Sequence, residues 1–185
     1  MNSLNQYEIG ILHSMHDALE CDFADAFFST VTHLADAGIL WILLAVVLLW
    51  FRKTRRAGIT MGIALVFGLV AGNLILKPLT ARIRPYDFDA SIALIIPPEI
   101  EFSFPSGHTL ASFEGAFGLF LCHRKWGIPA IILAACIAFS RLYLMVHYPI
   151  DVVTGAILGI LFAVLAYKLT DFIIAKIKAP PHNSH

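Results

Sequence analysis

Charge is what this chain has least of. Of its 185 residues only 14% are Asp, Glu, Lys or Arg, and they cancel to a formal net charge of zero, against roughly 25% charged residues in soluble domains. The 13 basic residues are split among short clusters, so no broad cationic face is available for a nucleic acid backbone, and nucleic acid is not expected as a partner. Cysteine is equally sparse. Cys21, Cys122 and Cys136 are odd in number and widely spaced, and two of them sit in apolar runs, which supports neither a disulfide framework nor a zinc site. Lys and Arg are missing altogether before Arg52, while Glu8, Asp17, Glu20, Asp22, Asp25 and Asp36 all fall in that stretch. A cleavable signal peptide opens on a cationic region, so this start is expected to remain in the mature protein.

What the chain does have is apolar length. Hydrophobic residues make up 58% of it and the mean hydropathy is +0.77, above the roughly 45–50% apolar usage of soluble domains. The expectation is a single membrane domain over residues 1–185, all-α, a polytopic helical bundle of about five spans preceded by an amphipathic N-terminal region at 1–36. In that region Tyr7, Ile11, Met15 and Leu19 recur at four-residue steps, with Glu8 and Asp17 elsewhere on the wheel. Such a helix lies along a membrane interface or packs on the protein's own surface.

Span one covers Ala37 to Phe51 with part of Phe27 to Leu34, since a bilayer crossing needs roughly 20 apolar residues. Span two is Ala57 to Leu76, free of charge and rich in Gly. Spans three, four and five run from about Gly107 to Cys122, Trp126 to Val146 and Val152 to Ile174. Between Pro78 and Ser106, five prolines with Asp87, Asp89 and Glu99 predict a loop outside the hydrocarbon. Its apolar run Ile92, Leu94, Ile95, Ile96 either dips toward lipid or packs on the bundle. Inside span three, Glu114 is costly in lipid, and a polar contact with Asn73 is the expected reason for it.

Basic clusters at 52–56, 123–125 and 176–178 all fall, by alternation, at one set of helix ends. By the positive-inside rule that side is cytoplasmic. The opposite, external ends gather Lys77, Arg84, His108, Arg141, His147 and Asp151, which are spread widely along the sequence. A phosphoryl group spreads negative charge over its oxygens, and Arg binds such oxygens through a bidentate fork. Arg84 and Arg141 suit that task, with Lys77 as a point charge. Arg82 falls outside the spacing and is assigned instead to anchoring at lipid headgroups. Ser106 is placed to cap the helix that follows it, leaving backbone N–H groups free to face an anion. Pro149 disfavours a helix running through both His147 and Asp151, so the imidazole is expected on a loop and the carboxylate in the first turn beyond it. There Asp151 can accept a bond from one ring nitrogen and leave the other free to attack.

Lys77-x6-Arg84-Pro85, Pro105-Ser106-Gly107-His108 and Ser140-Arg141-x5-His147-x3-Asp151 together resemble the three-part signature of the type 2 phosphatidic acid phosphatase (PAP2) superfamily, over a catalytic core at about 57–165. The resemblance implies an all-helical membrane bundle, a covalent phosphohistidine and no cofactor or divalent metal. It further implies His147 as nucleophile, Asp151 orienting it, and His108 as the acid for the leaving oxygen and then the base for water. Lys77, Arg84, Ser106, Gly107 and Arg141 would hold the phosphate. Within the superfamily, the small size, the short acidic start and Ser103-Phe104-Pro105-Ser106-Gly107-His108-Thr109 are most similar to bacterial phosphatases of undecaprenyl diphosphate. That similarity implies a multi-pass protein of the plasma membrane with an extracytoplasmic site and a lipid phosphate as partner. Phosphatidylglycerophosphate and phosphatidic acid fit the same chemistry. Rival readings are a lipid-phosphate transporter, which leaves His108, His147 and Asp151 unexplained, a metal-dependent hydrolase using Asp87, Asp89, Glu99 and the histidines, whose acids lack a ligand spacing, and a vanadate haloperoxidase, which the membrane spans disfavour.

Overall fold

The computed structural model describes residues 2–178. They form α1 (Asn2–Leu19), α2 (Asp22–His33), a 3-10 turn (Asp36–Gly38), α3 (Ile39–Trp50), α4 (Arg55–Gly68), a π-helical stretch (Leu69–Leu76), the short α5 (Lys77–Thr80) and α6 (Pro85–Phe88), then α7 (Gly107–Cys122), α8 (Arg124–Tyr143) and α9 (Pro149–Lys178). No strand occurs among the described residues. The fold is all-α, as the apolar runs require.

Arg55–Phe88, Arg124–Tyr143 and Pro149–Ile177 are each long and apolar enough to cross a bilayer, and Asp22–His33 with Asp36–Trp50, bent by 40°, makes a fourth candidate. The bend falls at Ala37 and Gly38, whose φ angles of 50° and 69° interrupt the helical path. Five spans were expected. The discrepancy is α7, whose 16 residues fall short of the roughly 20 that span hydrocarbon. Its environment explains the length: Leu110, Ser112, Glu114, Gly115, Ala116 and Leu119 are buried, because α4, α8 and α9 surround it. A helix wrapped by other helices need not match the bilayer.

Lipid tails are as apolar as Leu, so helices in a membrane associate through close fit rather than hydrophobic drive. Glycine supplies that fit on α9. A Cβ at Gly155 would stand 2.9 Å from the Ser106 carbonyl oxygen, and one at Gly159 would stand 2.7 Å from that of Leu110. On the other flank of α7, the Trp41 ring lies where a Cβ on Gly115 would fall, at 2.5 Å, and its Nε1 donates to Ser112 Oγ at 3.1 Å. Around this contact Ala45, Leu48, Ala57, Met61, Ala116, Leu119, Ala134 and Ile137 form the main core.

The chain alternates in direction. α3 leads away from the segment before it, α4 returns to Lys77, α7 leaves from Gly107, α8 returns to Tyr143 and α9 leaves from Pro149. The basic clusters therefore collect at one end and the motif residues at the other.

Over the motif end lie α1 and the loop. The face that α1 buries is Asn5, Glu8, Ile9 and Leu12, an i, i+3, i+4, i+7 set. Of the stripe expected either to lie along a membrane interface or to pack on the protein's own surface, Tyr7, Ile11 and Leu19 are exposed, so they do not pack on the protein. Glu8 faces inward because it has a partner there. Of the loop's apolar run, Ile92 and Ile96 are buried against the bundle, Ile92 with Leu12 and Met145, and Ile96 with Tyr143, Leu144 and Val146.

Gly159→Ala is expected to destabilise the protein by about 1–3 kcal/mol, the usual penalty of overpacking. A Cβ at Gly10 meets nothing within 4 Å, so Gly10→Ala serves as the control. Thermal unfolding of both variants in detergent, followed by tryptophan fluorescence, checks the difference.

Candidate active site

Each motif residue owes its position to a local backbone feature. Lys77 ends the π-helical stretch that precedes Pro78. Arg84 closes an irregular segment, 81–84, between α5 and α6. Ser106 caps α7, its Oγ accepting from Thr109 N–H at 3.5 Å, while its own N–H donates to the Asp151 carbonyl at 3.1 Å. Gly107 leaves space that a Cβ would take, 3.4 Å from Asn73 Oδ1 and 3.5 Å from Lys77 Nζ. Arg141 lies in the last turn of α8. His147 sits on the loop between α8 and α9 and Asp151 in the first turn of α9, where Pro149 was expected to divide them.

The residues converge. Arg84 Nη1 donates to the Val146 carbonyl at 2.9 Å and lies 3.3 Å from His147 Nε2, and its Nε donates to the Glu101 carbonyl at 2.8 Å. Arg84 Nη2 donates to Glu99 Oε2 at 2.5 Å, and Arg141 Nη2 donates to the other oxygen of the same carboxylate. Arg141 Nη1 donates to Thr32 Oγ1 at 2.6 Å. The Lys77 ammonium pairs with the Glu101 carboxylate, and His108 Nε2 lies 3.0 Å from Asp36 Oδ1. Lys77, Arg84, Arg141 and His147 are all buried.

One anion already occupies this cluster, and it is a carboxylate. Burial pushes the Glu99 carboxyl upward, but Arg141 and Arg84 outweigh burial and hold it at about 2, with His147 and His108 also acting on it. For His147, burial comes first and the two guanidiniums add to it, so its imidazole is held well below the usual histidine range. It is neutral at neutral pH. Its Nε2 faces Arg84, while its Nδ1 faces Ser103 Oγ at 3.4 Å and Asp151 Oδ2 at 3.6 Å. The direct His147–Asp151 separation is long for a hydrogen bond. Ser103 stands between them, donating to Asp151 Oδ2 at 2.5 Å.

Two expectations fail. Arg82 is no headgroup anchor: it is buried, donating to Asp151 Oδ1 at 2.6 Å, Asn5 Oδ1 at 2.7 Å and Glu8 Oε2 at 2.5 Å. Partners explain this: Asp151, Asn5 and Glu8 meet Arg82 on the inner side of the irregular segment 81–84. Glu114 and Asn73 do not make the expected contact either. Glu114 Oε1 and Asn73 Oδ1 each lack a partner among the described residues, and the Glu114 carboxyl lies against Gly68 instead.

Glu99, Glu101, Ser103, Asp36 and Thr32 belong to the site without having been foreseen in it. Ser103 stands just ahead of the Pro105 motif, close enough in sequence to have been suspected. The acids proposed as metal ligands are not gathered around one point: Glu99 goes to Arg84 and Arg141, and Asp89 to His13 and Ser91.

The Glu99 shift has a consequence for stability. Its carboxyl ionises near 4.5 when free and at about 2 when folded, so its charge stabilises the fold above pH 4.5, and that contribution drains away as pH falls toward 2. Wild-type protein should lose thermal stability across this window. Glu99→Gln should start lower at pH 7 and decline less steeply over the same range, as measured by thermal unfolding in detergent.

Comparison with known proteins agrees with this geometry. The PAP2 superfamily matches residues 57–174. A Sulfolobus acidocaldarius protein named undecaprenyl-diphosphatase is 37% identical over 131 residues, 70% of this chain and 63% of that protein, so the chain spans a little under two thirds of that relative's length. A Bacillus licheniformis protein named bacitracin transport permease protein BcrC is 33% identical over 139 residues, covering 74% of this chain and 68% of that protein. The crystal structure of Aquifex aeolicus LpxE superposes with a TM-score of 0.72 at 26% identity, over 83% of this chain and 91% of that one. With the signature segments drawn together at one end of an apolar helix bundle, and a family match covering most of the chain, the protein belongs to the PAP2 superfamily.

Proposed function

We propose that this protein is a multi-pass membrane phosphatase that removes one phosphate from undecaprenyl diphosphate through a phosphohistidine, without a metal. The reading is carried by a single groove of about 840 Å³. Its walls are apolar residues of α3, α4 and the π-helical stretch, among them Val46, Leu49, Leu65, Val66 and Leu69, and its far end holds Lys77, Gly107 and His108. An apolar channel that closes on the Lys77 ammonium and the His108 imidazole, beside Glu99 and Glu101, suits a molecule with a long hydrocarbon tail and an anionic head that displaces those carboxylates. The name borne by the Sulfolobus acidocaldarius relative supports the diphosphate.

In this reaction the terminal phosphate replaces the Glu99 carboxylate between Arg84 and Arg141, while Lys77 and the N–H groups at the start of α7 take further oxygens. His147 Nε2, which carries the ring's lone pair because Nδ1 faces Ser103 and Asp151, turns that lone pair from Arg84 Nη1 to phosphorus and attacks it. The bond from phosphorus to the bridging oxygen breaks, and His108 gives that oxygen a proton, releasing undecaprenyl phosphate. His108 then takes a proton from water as the water oxygen attacks phosphorus. The P–N bond breaks, and inorganic phosphate leaves with both histidines restored. A transporter that only binds lipid phosphate would use the cations but has no need of His147, Asp151 and His108. The basic helix ends around Arg52–Arg56 and His123–Lys125 support a cytoplasmic location for that side and an extracytoplasmic site, in a bacterial plasma membrane.

Phosphate release from undecaprenyl diphosphate, phosphatidylglycerophosphate and phosphatidic acid by purified protein in detergent with EDTA tests the reading. Fastest turnover of the isoprenoid, undiminished by the chelator, is expected. His147→Ala should show no release and no labelled enzyme from a 32P substrate. His108→Ala should lose about 10²–10⁴-fold yet trap phosphoenzyme with a good leaving group. Release by His147→Ala near the wild-type rate defeats the nucleophile assignment, and activity abolished by EDTA defeats metal independence.

A further inference from the structure

The bonds of Arg82 go to Asp151 and α1 and not to Glu99, yet it is among the most constrained side chains of the motif end. One nitrogen of its fork, Nη1, donates to Asp151 Oδ1 at 2.6 Å, and the other, Nη2, donates to Asn5 Oδ1 and Glu8 Oε2 on α1. Its guanidinium lies over the Tyr148 ring, 3.8 Å from the centroid. Arg82, Glu8, Asn5 and Asp151 are 6%, 4%, 3% and 0% exposed, so water does not compete for these bonds. The other oxygen of Glu8 accepts the Ile150 N–H at 2.8 Å. α1 therefore holds both the cation bound to Asp151 and the backbone of the residue before it.

The carboxylate of Asp151 is planar, so fixing one oxygen fixes the direction of the other. Oδ2 takes the Ser103 hydroxyl and the Tyr148 N–H and lies 3.6 Å from His147 Nδ1. Oδ1 is held by Arg82. Were Arg82 absent, Asp151 would be held only through Oδ2 by Ser103 and Tyr148, and its plane, with the alignment of the imidazole, would loosen. Misplacement of a reacting group by about 1 Å costs on the order of 10²-fold in rate.

We propose that Arg82 is a positioning residue that aims Asp151 at His147, and that Glu8 and Asn5 set its aim, which makes α1, upstream of the family match, part of the catalytic apparatus. The inference rests on the proposed roles of His147 and Asp151. Arg82 touches neither phosphate nor nucleophile and acts through the carboxylate. Lysine cannot replace it, since an ammonium lacks the planar fork that spans Asp151 on one side and α1 on the other.

The test is a cycle of Arg82→Gln, Arg82→Lys and Glu8→Gln, each made in the wild-type chain and in Asp151→Asn, with kcat and KM measured in detergent on p-nitrophenyl phosphate and on undecaprenyl diphosphate. Glu8→Gln keeps an oxygen for the Ile150 N–H but removes the charge facing Arg82. Arg82→Gln should lower kcat by about 10²-fold with KM within about twofold, Arg82→Lys should not rescue it, and Glu8→Gln should fall in the same direction. In the Asp151→Asn background none of them should lower kcat further. A residue that merely helped the fold hold together would cost the same in both backgrounds, and that result overturns the proposal, as does full kcat in Arg82→Gln. If Arg82→Gln does not purify as a folded protein, the Glu8→Gln pair decides alone. Should Asp151→Asn itself keep the wild-type kcat, the underlying roles of Asp151 and His147 fall. A large loss in Asp151→Asn with none in Arg82→Gln removes only the role of Arg82.

Discussion

Three guanidiniums, those of Arg82, Arg84 and Arg141, are buried at one end of an apolar bundle, and the arrangement around them follows from that. A buried charge left without its partner costs about 3–5 kcal/mol, so each needs a counter-charge brought from elsewhere in the chain. Glu8 and Asp151 answer Arg82, and the two oxygens of Glu99 answer Arg84 and Arg141. These acids come from α1, from α9 and from the proline-rich loop. Charge satisfaction adds to apolar burial in tying α1 and the loop to the bundle, which is why the inward face of α1 carries Asn5 and Glu8 beside Ile9 and Leu12.

Below that end the physics changes. The helices meet through glycine and small polar contacts, with Gly155 and Gly159 bringing α9 against the backbone of α7, and Thr60 Oγ1 donating to Thr170 Oγ1 at 3.2 Å. These contacts set how far apart α4, α7 and α9 stand, and so the distance between Lys77, Ser106 and Asp151, which ride on their ends. The groove runs along α3 and α4, where Gly58 lets the two helices approach closely and a Cβ at Gly62 on the groove wall would meet nothing within 4 Å.

The long helices were legible in the sequence because unbroken apolar runs leave little alternative, and Pro149 was enough to divide His147 from Asp151. Membership of the family was legible because its three motifs are intact. The pairings that satisfy charge were not. Arg82 and Glu8 are separated by 74 positions and Arg141 and Thr32 by 109, and no local pattern announces which buried cation a distant acid will meet. Glu8 read as the polar side of an amphipathic helix, since periodicity sorts residues by polarity and is blind to a cation on the inner face. α7, at 16 residues, is shorter than its apolar composition led one to expect, because other helices cover its sides, and composition does not tell a helix wrapped by lipid from one wrapped by other helices.

The same cations serve two ends in the proposed reaction. Burial together with Arg84 and Arg141 holds the His147 imidazole neutral, so the lone pair on Nε2 is available without a base to strip it. A nucleophile prepared in this way would ordinarily pay in reactivity, because cations beside it also withdraw electron density. Phosphate, taking the place of Glu99 between the guanidiniums, brings more negative charge than one carboxylate, and as the P–N bond forms the ring becomes cationic next to a more fully neutralised pair. Asp151, aimed at Nδ1, meets that developing charge on the opposite side of the ring. On this account the anion supplies the electrostatic change that carries its own transfer, and the protein has only to keep Arg84, Arg141 and Asp151 from moving while it happens.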